Sequence, residues 1–211
     1  MLRASKIHKT LRNKKNSLLT RLWFKMMFKK LGKNSCISAP FYPHNTENIE
    51  IGERVFIGTC ARIEAHPVRP EDGHTVVTIG NRVVMGQNVT ISGSTSLIIG
   101  DDVLIAGGSF ISDNNHGTNP LGKPYLHQPI ESSPTEIGPG VWLGQGVSVL
   151  AGSNIGERSI IGSGSVVTGT IPPFCIAAGV PARVLKQFCF NTNTWKRVES
   201  TAKIAVVSTQ Y

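Results

Sequence analysis

The sequence repeats with a period of six residues over most of its length. The clearest block begins at Ile137 and reads IGPGVW LGQGVS VLAGSN IGERSI IGSGSV VT. Shorter blocks with the same spacing lie at residues 51–63, 79–91 and 99–111. An amphipathic helix would space its apolar residues by about 3.6 positions and a strand by about two. A period of six therefore requires a repeat architecture in which every unit adds one apolar residue to a common core.

Each six-residue unit predicts a short strand followed by a corner. Three units then form a coil of about 18 residues, and the strands of successive coils pair in parallel. A β-sandwich is the alternative, but its strands alternate with a period of two and vary in length. We therefore predict an all-β fold, a parallel β-helix. The general rule for parallel crossovers would make this β-helix right-handed. The predicted inward ladder consists of Ile137, Leu143, Val149, Ile155, Ile161 and Val167.

The charge of the chain is concentrated at its N-terminus. The net charge is +9, but the first 33 residues hold eleven of the 22 basic residues, and no acidic residue precedes Glu47. The first 33 residues therefore carry +11, and the remainder carries 11 − 13 = −2. The domain organisation we predict is a basic arm at 1–45, the β-helix at 46–186 and a tail at 187–211.

Residues 17–31, SLLTRLWFKMMFKKL, have the spacing of an amphipathic helix. The predicted stripes are an apolar one, Leu19, Trp23 and Met27, and a basic one, Arg21, Lys25 and Lys29. Such a helix suits the surface of an anionic membrane. It equally suits a cap over the open end of the β-helix, where strand edges are unpaired. An apolar stripe this wide argues against binding to nucleic acid.

Cysteine usage and hydropathy favour a cytoplasmic protein. The four cysteines show no CxxC spacing, so we predict buried free thiols in a reducing compartment. No apolar run approaches the ~20 residues that span a bilayer. Basic residues interrupt the N-terminal apolar stretch, which therefore lacks the core of a signal peptide.

Three motifs identify a family. The repeats, NNHG at 114–117, VWLGQGVSVLAG at 141–152 and IPPFCIAAGVPARVLK at 171–186 resemble those of the hexapeptide-repeat acyltransferases. The flank QFCFNTNTWKRV at 187–198 is similar to the tail of lipopolysaccharide and capsule O-acetyltransferases. The resemblance implies a left-handed parallel β-helix, a homotrimer with active sites between subunits, and acetyl-CoA as donor. It further implies transfer to a hydroxyl of a surface-polysaccharide sugar or its lipid-linked precursor, at the inner face of the membrane.

The repeat breaks off between Ile111 and Ile137. The excursion at 112–136 contains four prolines, so we predict neither helix nor strand within it, and a loop that contacts another subunit. Structureless loops of this length are usually functional. His116 lies at the root of the loop. An imidazole titrates close to neutral pH and can remove the proton of an attacking hydroxyl, although a loop histidine with only surface contacts is the alternative.

The resemblance assigns roles to further residues. His116 becomes the single general base, because Asn114 stands where relatives often carry a second histidine. Asp113 and Trp142 are expected at the acceptor. Asp113 and Glu131 are also candidates to orient the imidazole, although either could merely cap a turn. Trp142 could instead pack beneath the loop, and His127 is expected to be a loop or acceptor-site residue rather than a second base. The expected donor residues are Gly144, Ser163, Thr168, Arg183 and Lys186.

Two donor features have a physical basis. Backbone N–H groups near Gly144 could stabilise the charge that develops on the thioester oxygen. Arg183 and Lys186 could hold the 3′-phosphate together if their segment forms a helical turn. Gly169 stands where relatives often have a basic residue.

The six histidines lack the spacing of the zinc site in γ-type carbonic anhydrases, so we predict no metal. The alternatives are an acetyltransferase for a small soluble acceptor (a free sugar, serine or an antibiotic) and a non-catalytic scaffold.

Overall fold

The chain folds into a parallel β-helix with three faces in a computed structural model that describes residues 16, 18–68 and 72–198. Sheet A stacks β1 (Lys30–Leu31), β4 (Ile49–Ile51), β7 (Val77–Ile79), β10 (Leu97–Ile99), β15 (Thr135–Ile137), β18 (Asn154–Ile155) and β21 (Thr170–Ile171). Sheet B stacks β2 (Cys36–Ile37), β5 (Phe56–Ile57), β8 (Val84–Met85), β11 (Leu104–Ile105), β16 (Trp142–Leu143), β19 (Ile160–Ile161), β22 (Cys175–Gly179), β23 (Ala182–Cys189) and β24 (Thr194–Arg197). Sheet C stacks β3 (Phe41–His44), β6 (Ala61–Ala65), β9 (Thr90–Gly93), β12 (Phe110–Ser112), β17 (Ser148–Val149) and β20 (Val166–Val167).

The six-residue period produces this architecture as predicted. Consecutive strands visit sheets A, B and C in turn, so each strand pairs in parallel with the strand one coil away. In sheet A, for example, Ile99 pairs with Ile79 on one side and Ile137 on the other. The predicted inward ladder is confirmed, because all six of its side chains are buried: Ile137, Leu143, Val149, Ile155, Ile161 and Val167. Burial of each stabilises the fold by about 1.5–3 kcal/mol.

A helix closes the N-terminal end of the prism. This helix, α1, covers residues 18–27 and contains a π-helical segment, Thr20–Phe24, and an α-helical one, Lys25–Met27. The Thr20 hydroxyl accepts a hydrogen bond from the Ile37 N–H at 2.9 Å. Phe24 and Phe28 pack against Phe41 with ring centroids 5.4 and 6.1 Å apart. The cap predicted as one alternative for this segment is therefore present.

Three features of the arm differ from the prediction. The buried stripe is Thr20, Phe24 and Phe28, whereas Trp23 of the predicted stripe is 65% exposed. The segment is apolar on several sides, so its periodicity alone could not select the buried one. The helix also ends at Met27, because Phe28 is extended. Strands β1 to β3 pair with the second coil, so the β-helix begins at residue 30, ahead of the predicted boundary at 45. Of the arm, residues 1–15 and 17 lie outside the described residues.

At the other end, the chain reverses and extends sheet B. Strand β22 pairs antiparallel with β23, which pairs antiparallel with β24. The segment that carries Arg183 and Lys186 is therefore a strand, and the helical turn considered for it is not formed. The predicted boundary at 186 falls within β23.

The excursion contains regular structure, contrary to the prediction. β13 (Asn114–His116) and β14 (Ile130–Ser132) form an antiparallel pair, and Tyr125–His127 is a 3₁₀ helix. The four prolines all lie outside the paired positions, so they cost the ladder no hydrogen bond. Gln128 fastens the interior of the loop, because its Nε2 donates to the carbonyls of Asn119 and Lys123 at 2.8 and 2.7 Å. The loop is thus ordered by its own contacts.

The four cysteines are free, as predicted, but the predicted burial holds only for Cys175. Cys175 is buried in the core, whereas Cys60 is exposed at a corner, where its φ is +59°. Within the described parts of the chain, no helix has both the length and the apolar character needed to cross a bilayer.

The close approach of successive coils can be tested at Gly52. A Cβ at Gly52 would lie 2.6 Å from the carbonyl oxygen of Gly80, a backbone atom of the next coil. Gly52→Ala should therefore lower the free energy of unfolding by about 1–3 kcal/mol, measured by urea denaturation. Gly169→Ala is the control, because no atom lies within 4 Å of its Cβ position. Equal losses in both variants would contradict a contact between coils as the cause.

Candidate active site

A buried carboxylate anchors the root of the excursion. The side chain of Asp113 is fully buried. It accepts hydrogen bonds at 2.7, 2.8 and 2.8 Å from three consecutive backbone N–H groups, those of Ser94, Thr95 and Ser96. The side-chain amide of Asn114 donates to the same carboxylate at 3.1 Å. These contacts occupy Asp113 and fix the loop to the coil below, so we do not retain its predicted roles as acceptor contact and partner of the imidazole.

Further hydrogen bonds close the frame around the root. The N–H of Ser133 donates to the Asp113 carbonyl at 2.8 Å, and the Thr135 hydroxyl donates to the Ser112 carbonyl at 3.0 Å. Gly117 N–H donates to the Pro129 carbonyl at 3.0 Å. The chain therefore leaves the coil and re-enters it at one corner, which lies between sheets C and A. These hydrogen bonds hold both points in place.

This frame presents His116 to solvent. His116 lies on β13 opposite Ile130, and its side chain is exposed. Glu131 lies opposite Asn115, and adjacent residues of a strand point to opposite faces, so Glu131 is on the face away from His116. Among the residues that the structure describes, no side chain is hydrogen-bonded to the imidazole. His127 is exposed in the 3₁₀ helix towards the far end of the loop.

The outer face of sheet B carries a second group of predicted residues. Trp142 points outward from β16, between Leu104 and Ile160 of the neighbouring strands. Its side chain is 47% exposed on sheet B, whereas the loop of its own chain leaves the coil between sheets C and A. The same column of outward side chains continues through Ile160, Ile176 and Lys186. At about 4.8 Å per strand, Trp142 and Lys186 lie about 14 Å apart.

A β-bulge places Arg183 and Lys186 on the same face. Arg183 pairs with Ala178 and Lys186 with Ile176, and the register shifts between Ile176 and Ala177. Residues three apart in a regular strand would point to opposite faces, but the extra residue restores the alignment. Both cations are exposed on the outer face of sheet B. The sequence analysis predicted that the two cations lie close together, but it attributed this to a helical turn.

Gly144 and Ser163 lie at the corner after sheet B. The N–H of Gly144 donates to the Ile161 carbonyl at 2.8 Å, so it is not available for an oxyanion, contrary to our expectation. A Cβ at Gly144 would lie 2.6 Å from the nitrogen of Ser163, which explains the glycine by the stacking of two coils. Ser163 is exposed, and its hydroxyl accepts from the Gln145 N–H at 3.2 Å.

The same corner carries a groove that the sequence analysis did not predict. Its volume is about 430 Å³, and its lining consists of Ser38, Phe56, Gly58, Thr59, Gly86, Gln87, Gly107 and Gln145. The recurrence of glycine after the aliphatic residue of sheet B, at 58, 86 and 144, was the available signal. Because glycine has no side chain, the backbone of the corner lies at the surface at each of these positions.

The predicted residues therefore form two groups within one chain. One group is Trp142, Gly144, Ser163, Arg183 and Lys186, on sheet B and the corner that follows it. The other is Asp113, His116 and Thr168, at the corner between sheets C and A, where Thr168 is exposed between β20 and β21. Sheet C separates the two groups. In the described chain, no three His, Cys, Asp or Glu side chains come together as a metal site would require.

Comparison with known proteins agrees with this architecture. Residues 134–169 match the family model described as bacterial transferase hexapeptide (six repeats). The putative lipopolysaccharide biosynthesis O-acetyl transferase WbbJ of Escherichia coli K12 is 36% identical over 76% of this chain and 83% of its own length. The galactoside O-acetyltransferase of the same strain is 34% identical over 77% of this chain and 66% of its own length.

A solved structure is also similar. The galactoside acetyltransferase in complex with coenzyme A superimposes with a TM-score of 0.57 and 28% identity. The similarity covers 92% of this chain and 89% of that one. It therefore extends over the whole β-helix, beyond the repeats that the family model matches.

Asp113→Asn tests the anchor at the root of the loop. An amide cannot accept three backbone N–H groups as a carboxylate does, and each buried donor left unsatisfied costs about 1–3 kcal/mol. We therefore expect a loss of about 3 kcal/mol in the free energy of unfolding, measured by urea denaturation. Asp102→Asn is the matched control, because the Asp102 carboxylate is exposed and binds only Arg82 among the described side chains. A loss in the control as large as that of Asp113→Asn would contradict the anchor.

Proposed function

The chain belongs to the hexapeptide-repeat transferase family, and from this premise we propose that it O-acetylates a surface-polysaccharide sugar or its lipid-linked precursor. The enzyme is an acyl-CoA-dependent acetyltransferase, and acetyl-CoA is the donor. The relative named for lipopolysaccharide biosynthesis supports a carbohydrate acceptor of this kind. The observation that carries the proposal is the exposed imidazole of His116, on a loop root fixed by the buried Asp113.

His116 is the general base of the proposed reaction. The imidazole takes the proton of the sugar hydroxyl while the hydroxyl oxygen bonds to the thioester carbonyl carbon. The carbon–sulfur bond then breaks, and the thiolate of coenzyme A leaves and receives the proton. Such a transfer needs no metal and no covalent enzyme intermediate. The imidazole makes no hydrogen bond to another described side chain, which leaves it available to the acceptor.

The donor residues fit the polar end of coenzyme A. Arg183 and Lys186 offer two exposed cations on one face, suited to a phosphate group. The adjacent corner is lined with glycine and serine, so an extended amide-bearing arm could approach the backbone there. Trp142 lies on the same face about 14 Å from Lys186, and we place the acceptor beside its ring.

We propose that the complete site forms between two copies of the chain in a homotrimer. In one chain, sheet C separates His116 and Thr168 from the residues on sheet B. The outer face of sheet B bears four apolar side chains that are 40–47% exposed, Phe56, Val84, Leu104 and Trp142. The tip of the excursion exposes Leu121 at 95% and Leu126 at 77%. A loop of one copy laid on sheet B of the next would cover both and unite the two groups.

A small soluble galactoside is the second candidate acceptor. The similarity to galactoside O-acetyltransferases at 34% and 28% identity favours it. Mass spectrometry of surface glycan from cells with and without the protein separates the two functions. Loss of O-acetyl groups from the glycan supports the polysaccharide acceptor. An unchanged glycan, with acetylation of galactosides by the purified enzyme, supports the soluble one.

The role of the base can be tested with two histidine variants. His116→Ala should lower kcat by about 10²–10⁴ and leave the Kd of acetyl-CoA nearly unchanged, because the proposed donor residues other than Thr168 lie on sheet B and the corner that follows it. His127→Ala should act mainly on the KM of the acceptor, because His127 lies away from the root of the loop. Both are assayed with the same sugar acceptor.

Two results would contradict this assignment. A normal kcat in His116→Ala with a loss in His127→Ala would identify the other histidine as the base. Full activity in both variants would remove the general-base mechanism and favour a non-catalytic β-helix.

The shared site predicts that two inactive variants complement each other. His116→Ala removes the base, and the double variant Arg183→Glu/Lys186→Glu removes the donor cations. In a closed ring of randomly mixed subunits, about a quarter of the interfaces pair an intact loop with an intact sheet B. Refolded or co-expressed mixtures should therefore recover about a quarter of the wild-type activity. No recovery, with mixed oligomers verified by mass spectrometry, would place the whole site in one chain.

A further inference from the structure

Helix α1 has an apolar outer face that the β-helix does not cover. Its inner face is occupied by Thr20 and Phe24, which hold the helix to the first coil. On the opposite side, large apolar side chains are exposed by 58–85%: Leu18, Leu22, Trp23 and Met26. Leu18, Leu22 and Met26 are spaced by four residues, so they form one stripe along the helix. We call these four residues the α1 outer face.

A cation of the same helix lies beside this face. Lys25 directly precedes Met26 and is exposed, and Lys30 is exposed on β1, the strand that follows the helix. Lys29 is partly engaged, because its Nζ donates to the Gly73 carbonyl at 2.9 Å and lies 3.9 Å from Glu50. The first 33 residues contain eleven basic residues and no acidic one, whereas the rest of the chain carries −2. Six of these eleven, at positions 3–15, lie outside the described residues, and the sequence joins them directly to the helix that carries the apolar stripe.

We propose that the α1 outer face binds the surface of an anionic lipid bilayer. Large apolar side chains beside cations are the combination that inserts a helix at the level of the lipid headgroups. A nucleic acid would use the cations but would leave Leu22 and Met26 in water. A second copy of this chain would bring two strongly basic ends together, which electrostatic repulsion opposes. The bilayer satisfies both the apolar and the charged part of the surface.

The position of α1 makes this binding compatible with catalysis. The helix closes the end of the prism, whereas His116, Trp142 and the donor cations lie along its sides. If copies assemble side by side, as the proposed function requires, their caps share one end of the assembly. Several weak lipid contacts would then act together and raise the apparent affinity. An acceptor carried on a lipid would also lie close to the same surface.

The test uses the full-length protein and sedimentation with vesicles. The wild type should bind vesicles that contain phosphatidylglycerol and not vesicles of phosphatidylcholine alone. Met26→Glu and Lys25→Glu should each weaken binding by about tenfold or more. Val68→Glu is the matched control, because Val68 is 64% exposed but lies on a side loop. Deletion of residues 1–33 is unsuitable, because it would also remove Phe24, Phe28 and β1.

The outcomes separate the possible occupants of this face. Equal vesicle binding by the wild type and all variants, or binding that ignores lipid charge, would overturn the proposal. Self-association that Met26→Glu abolishes, without vesicle binding, would identify a second copy and also overturn it. Unfolding midpoints equal to that of the wild type show that the variants keep the cap. Because vesicle binding involves no acetyl transfer, its failure would leave the acetyltransferase function untouched.

Discussion

The in-register stacking of coils constrains everything else in this molecule. Each coil places its aliphatic side chains directly over those of the coil before, as Ile79, Ile99 and Ile137 do in sheet A. The backbones approach so closely at the corners that a Cβ on Gly144 would lie 2.6 Å from the next coil. A change of one residue in the length of a unit would move every later side chain off the ladder. Variation must therefore be confined to the corners, to insertions at a corner and to the two ends.

The long insertion at 112–136 shows how the stacking tolerates a departure. The chain leaves at Ser112 and returns at Thr135, and these two residues are hydrogen-bonded to each other at 3.0 Å. Asp113 meanwhile fastens the departure to the turn at Ser94–Ser96. The ladder above and below therefore continues undisturbed. The same hydrogen bonds that preserve the stacking also hold the backbone next to His116 in place. They therefore both stabilise the fold and position the site.

The sequence predicted those features that depend on period alone. The inward ladder, the parallel sheets and the site of the excursion follow from spacing and were confirmed. Features set by local hydrogen bonding did not follow. The common face of Arg183 and Lys186 depends on a β-bulge, and the buried side of α1 depends on the hydrogen bond between Thr20 and Ile37. The N–H of Gly144 is occupied because it donates to the neighbouring coil. Asp113 was predicted to contact the acceptor or the imidazole, and its burial beneath three backbone N–H groups could not be inferred from a run of polar residues.

The distribution of residues over the prism indicates why such an enzyme would work as an assembly. A prism with a filled core has no internal cavity for a substrate, so a site must be built on its outside. One corner can present a base, and one flat sheet can present cations and an aromatic ring, but a single convex surface cannot enclose both. In the proposed homotrimer a second copy would supply the missing wall, and the exposed apolar residues of sheet B and of the loop tip would supply the surface to hold it. The ends of the prism would take no part in that contact, which would leave α1 available for the proposed membrane contact.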